Sequence, residues 1–172
     1  MAYSILTALE SGLFGEVYVS TDDDEIADVA KVYGGEPILR PAGLERDEVG
    51  TQAVMQAALT QLQALTPRKA IESACCIYPT APMLMPQDLL DGYRAMKKRV
   101  ARYAFSVGYP PLRDAGCYYW GLAQSFINGD PLVTPETVLV PLPDERVCDI
   151  NLPEDWERAE RMFAALRIKE EG

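Results

Sequence analysis

The chain has 172 residues, enough for one domain with a core of its own. Its 16 Lys and Arg against 26 Asp and Glu give a formal net charge of -10, which argues against nucleic acid as the main partner, since that needs a basic face. It contains no histidine, which excludes Ser-His-Asp and Cys-His nucleophile systems and leaves only hard metals held by carboxylates and phosphate oxygens.

Residues 1–12 predict a helix, with Ile5, Leu6 and Leu9 on one face and Gly12 as its stop. This opening lacks the basic start and long apolar centre of a secretion signal. The stretch EVYVS, 16–20, predicts a strand. Asp22, Asp23 and Asp24 then predict a capped helix with Ile26, Val29 and Tyr33 aligned, ended by Gly34 and Gly35. A second strand is expected at 37–39, a polar loop at 40–50 and a long amphipathic helix at 51–65. The apolar run ACCIY, 74–78, has the character of a central strand covered on both faces. A turn at 79–82 leads to a helix at 87–98, with Pro86 near its first turn. Strands are expected at 103–107, 117–120 and 137–141. Asn151 caps a last helix that turns Trp156, Ala159, Phe163 and Leu166 inward.

Alternating strands and helices predict an α/β domain: a three-layer, mostly parallel sheet with helices on both faces. One domain is expected over 1–168, with 169–172 as a frayed tail. No run approaches the roughly 20 apolar residues that span a bilayer, so no membrane partner is expected. Cys75, Cys76, Cys117 and Cys148 lack CxxC spacing and read as buried thiols in a reducing, cytoplasmic setting.

In open α/β sheets ligands lie beyond the carboxyl ends of strands. Ser20-Thr21-Asp22, Arg40-Pro41, the turn from Tyr78 to Pro82 and the run from Cys148 to Asn151 occupy such positions. Each has a plainer reading. The acids 22–24 and Asp149 serve equally as helix caps, Arg40 as a solvated side chain, and the proline-rich segment as a simple turn. Their joint order along one sheet is the more specific signal.

That order carries a resemblance. The strings VSTDDDEIADVAKVYGGEPILRPAGL, CCIYPTAPML, DAGCYYWGLAQSF and RVCDINLPEDWERAE resemble the acylneuraminate cytidylyltransferases, most of all their pseudaminic acid branch. The resemblance runs from Met1 to about Leu166. It implies a nucleotide-diphospho-sugar transferase-like fold. The implied activity transfers CMP from CTP to a nine-carbon sialic-type sugar acid with magnesium, giving a CMP-sugar and pyrophosphate for surface glycan or flagellin glycosylation. Such phosphoryl chemistry rests on positioning and electrostatics, and it needs no histidine.

By the same resemblance, Arg40 and Thr51 contact the cytosine base, and Ser20 and Asp22 line the nucleotide pocket. Tyr78, Thr80, Cys117 and Tyr119 fall at the sugar side. Asp149 and Asn151 take the places of two aspartates that hold magnesium, with Asp149 the catalytic residue. The resemblance also implies a first strand and a Pro-Ala-Arg-x-Gly-Ser-Lys type phosphate loop, neither of which this sequence carries. A long excursion before the DAG string is absent too, since Arg113 runs straight into Asp114. The expectation is therefore a truncated, internally shortened family member, with a weakened homodimer. It is either a working transferase or, as the alternative expectation, an inactive nucleotide-binding remnant or gene fragment lacking the triphosphate loop.

Overall fold

Short apolar runs and amphipathic stretches alternate along the chain. In the computed structural model they become strands and helices over the described residues: 1–46, 49–110, 112–148, 150 and 152–170, with side chains described to 166. The order is α1 (Ala2–Glu10), β1 (Tyr18–Thr21), α2 (Asp24–Val32), β2 (Glu36–Leu39), α3 (Thr51–Leu65), β3 (Ser73–Ile77) and α4 (Pro86–Arg99). There follow β4 (Tyr103–Tyr109), β5 (Arg113–Leu122), α5 (Ala123–Asn128), β6 (Val138–Pro143), a 3-10 turn (Asp144–Arg146) and α6 (Pro153–Glu170). The last helix thus continues through Lys169 and Glu170, which the sequence suggests as part of a tail.

The α/β architecture is the expected one, but the sheet is mixed. β1 and β2 pair in parallel by themselves, and a second sheet has the order β3-β5-β4-β6. Within it β4 and β6 are parallel, while β5 runs antiparallel to both β3 and β4. The reason lies in the connection. Only residues 110–112 separate β4 from β5, which suits a hairpin, whereas a parallel return needs a crossover of about a dozen residues or more.

The second sheet is covered on both faces. On one, Leu89 and Met96 of α4 pack with Ala104, Tyr118, Trp120 and Val140. Gly92 lets α4 approach closely: a Cβ there would stand 2.7 Å from the Tyr118 ring and 2.9 Å from Trp120. On the other face, Met55 and Leu59 of α3 meet Tyr103, Ala123 and Phe126. α5 escapes sequence reading because six residues are too few to display a helical period.

Asp23 caps α2 by accepting from the Ile26 N–H at 2.9 Å, so the plainer reading of that acidic string holds for Asp23. The apolar line of α2 is less covered than its pattern implies. Ala30 is fully buried, yet Ile26, Val29 and Tyr33 remain 42%, 42% and 39% exposed. A helix resting on a two-stranded sheet has too narrow a floor to cover its whole apolar stripe.

One buried ion pair crosses the molecule. Arg146 grips the Asp88 carboxylate through both terminal nitrogens, Nη2 to Oδ1 at 2.9 Å. Asp88 also accepts from the Met85 N–H at 2.9 Å, closing the start of α4. The 79–85 turn and the segment after β6 are thereby joined.

Candidate functional site

The residue after β3, Tyr78, meets the first residue of α3, Thr51, while the ends of β1 and β2 are tied to each other. Arg40 follows β2 directly. Its backbone N–H continues the strand pairing by donating to the Thr21 carbonyl at 2.9 Å. Its side chain folds across to β1, where Nη2 donates to the Ser20 carbonyl at 2.6 Å and Nε reaches Ser20 Oγ at 3.4 Å. Ser20 and Arg40 are therefore one unit, and the half-buried guanidinium is held at the edge of the sheet. Asp22 is exposed, one residue short of the cap.

Thr51 opens α3 behind Gly50, which as N-cap has no side chain to cap the helix. No acid stands in its first turn either, so the positive end of the helix dipole keeps its full effect there. The Thr51 hydroxyl lies 2.5 Å from the Tyr78 hydroxyl. Tyr78 is anchored from below: its N–H donates to the Cys117 carbonyl, and its own carbonyl accepts from Ser4 Oγ of α1. Its ring meets Tyr119 at a centroid separation of 5.8 Å, and Tyr119 in turn packs against Phe105 at 5.4 Å.

Cys76 connects the two groups. It is the cross-strand partner of Tyr119, and burial pushes its thiol up to about 12 while the nearby Arg40 cation opposes that rise. Arg40, Cys76, Tyr119, Tyr78 and Thr51 thus form one connected polar and aromatic cluster that reaches the N-terminus of α3.

Tyr119 owes its setting to Asp114. The strand β5 bulges between residues 114 and 119, where Val107 pairs with Asp114 and Phe105 with Tyr119. Gly116 takes a φ of 60° in this bulge, a conformation suited to glycine. Asp114 Oδ1 accepts from the Gly116 N–H at 2.9 Å, and Oδ2 accepts from the Tyr119 hydroxyl at 2.6 Å. Burial, then the bond to Asp114, push the Tyr119 phenol well above its ordinary range.

The structure separates other expected residues from this cluster. Cys117 is 2% exposed in the core on the α4 side, with Sγ near the Ala115 carbonyl at 3.3 Å. The bulge places its side chain in the core with Tyr118, away from the cluster around Tyr119. Thr80 is half-buried in the turn after β3. Asp149 and Asn151, the expected metal pair, lie outside the described residues. Among the described residues no group of three or more acid or cysteine side chains is placed to hold a metal. Asp114 is the member that sequence reading missed. Its signal was present in Asp-x-Gly, a pattern in which the carboxylate accepts the N–H two residues on.

Comparison with known proteins adds to this geometry. The family profile described as cytidylyltransferase matches residues 1–140. The pseudaminic acid cytidylyltransferase of Campylobacter jejuni is 29% identical, covering 95% of this chain and 84% of that protein. The N-acylneuraminate cytidylyltransferase of Escherichia coli is 32% identical over 57% of this chain and 23% of its own length. Among solved structures, CMP:2-keto-3-deoxy-manno-octonic acid synthetase complexed with CTP superposes with a TM-score of 0.64. The match covers 95% of this chain and 88% of that one at 13% identity, a likeness of fold. No described helix is long and apolar enough to cross a membrane.

Proposed function

The chain belongs to the cytidylyltransferase family, and from that premise we propose that it transfers CMP from CTP to a nine-carbon sialic-type sugar acid, pseudaminic acid or a near relative. The anomeric oxygen of the acid forms a bond to the α-phosphorus of CTP. The bond from that phosphorus to the α–β bridging oxygen breaks, pyrophosphate leaves with the electron pair, and the hydroxyl proton passes to water. The reaction belongs in the cytoplasm, where CTP is made.

The observation that supports this reading most is the pairing of two units, Arg40 past the end of β2 with Ser20 of β1, and Tyr78 past the end of β3 with Thr51 at the start of α3. Arg40, fixed by Ser20, offers planar donors to the carbonyl of a pyrimidine base. Thr51 offers a hydroxyl at a helix end that favours negative charge. Tyr78 and Tyr119 wall the side on which we place the sugar acid. We assign magnesium to Asp149 and Asn151, whose oxygens are hard donors. When bound, magnesium neutralises phosphate charge.

The test is pyrophosphate release and CMP-sugar formation from CTP, pseudaminic acid and magnesium, with the Campylobacter jejuni enzyme as a positive control. Product from this chain supports the reading. CTP binding without product, while the control is active, points instead to a nucleotide-binding remnant. No CTP binding by calorimetry removes both.

A further inference from the structure

We infer that Asp114 is a positioning residue that sets the hydrogen-bonding polarity of Tyr119, so that the tyrosine hydroxyl meets the sugar acid as an acceptor and selects a ligand hydroxyl or amide N–H. This inference rests on the sugar-acid reading above.

A phenol has one proton and can accept through its oxygen lone pairs. In this site the proton is committed. The Tyr119 hydroxyl donates to Asp114 Oδ2 at 2.6 Å, and an ionised carboxylate can only accept, so the bond cannot reverse. What the hydroxyl can still offer a ligand is lone-pair density. The carboxylate cannot swing away either, because Oδ1 is occupied by the Gly116 N–H at 2.9 Å within the bulge. The ring itself is clamped between Phe105 and Tyr78. The groups that face the hydroxyl, namely Asp114, Tyr78 and the Cys76 thiol, all act to keep it protonated, as does burial. Tyr119 therefore does not serve as a base near neutral pH. Its chemistry is recognition, and Asp114 decides which kind.

The near-isosteric change Asp114→Asn tests this without removing the bulge. The asparagine oxygen can keep the Gly116 N–H, which turns the amide NH2 toward Tyr119. The phenol must then accept from Asn and can donate its own proton to a ligand, reversing its polarity. A ligand donor would meet a donor there.

The experiment is calorimetric binding of pseudaminic acid, and separately of CTP, to wild type, Asp114→Asn and Tyr119→Phe. A spectrophotometric titration of the phenol, read as the difference from Tyr119→Phe, accompanies it. The expected result is about a tenfold loss of pseudaminic acid affinity in both variants, the worth of one hydrogen bond near 1.4 kcal/mol, with CTP affinity unchanged. Asp114→Asn should also lower the pH at which Tyr119 ionises, because the carboxylate that opposed ionisation is gone. The proposal is overturned by unchanged pseudaminic acid affinity in both variants, by equal losses for CTP, or by an unmoved phenol titration. A wild type that binds CTP but not pseudaminic acid overturns it as well, and leaves the nucleotide half of the functional reading standing. Conversely, loss of sugar-acid affinity in both variants of a chain that makes no product upholds this inference and refutes only the catalysis.

Discussion

Replacing Arg146 by Met would break the ion pair that joins the start of α4 to the segment after β6. The two side chains are 14% and 9% exposed, so water screens them little. In the variant, the Asp88 carboxylate keeps only the bond from the Met85 N–H among those described above. Breaking a buried pair by removing one partner costs about 3–5 kcal/mol, and the residual exposure and retained backbone bond bring our expectation to about 3 kcal/mol. For a domain of this size that corresponds to a fall in Tm of about 6–12 °C. Urea unfolding followed by circular dichroism measures it, with the slope checked against wild type. The double variant Asp88→Asn, Arg146→Met should lose less than the sum of the single changes, since no charge is then left buried. If Arg146→Met stays within about 0.5 kcal/mol of wild type, or the two changes simply add, the pair is not a structural clamp.

Further outcomes follow from the same structure. Arg40→Ala should weaken CTP binding about tenfold or more, the loss of one or two charge-assisted bonds, as read by calorimetry; Arg40→Lys should recover little, because a point charge cannot reproduce the planar fork held by Ser20. Gly121→Ala should destabilise the chain by about 1–3 kcal/mol, since a Cβ there would stand 2.5 Å from Phe126 and 2.6 Å from Tyr103; thermal melting reads this, and an unshifted Tm would contradict the packing described. The Cys76 thiol, raised to about 12 mainly by burial, has a low thiolate fraction at pH 8 and should resist iodoacetamide in the native state. Its labelling should rise steeply on unfolding of this half-buried residue, as peptide mass spectrometry would show; rapid native labelling of Cys76 would refute the raised thiol.

The amino-acid sequence by itself determined the alternation of strands and helices, because periods of 2 and 3.6 and caps such as Asp23 are local properties. It also placed Arg40 and Tyr78 at strand ends, where a parallel arrangement directs ligands. The tertiary structure decided what local pattern cannot carry. The direction of β5 came from the three residues 110–112 that precede it, which force a hairpin. The separation of Cys117 from Tyr119 came from the bulge at Gly116, which shifts side chains between faces in a way that simple alternation does not anticipate. The partly bare face of α2 reflects the narrow sheet beneath it, and the Asp88–Arg146 pair joins residues far apart in the chain. The role of Asp114 combines both levels: Asp-x-Gly is written in the sequence, but only the folded bulge brings its carboxylate to the Tyr119 hydroxyl.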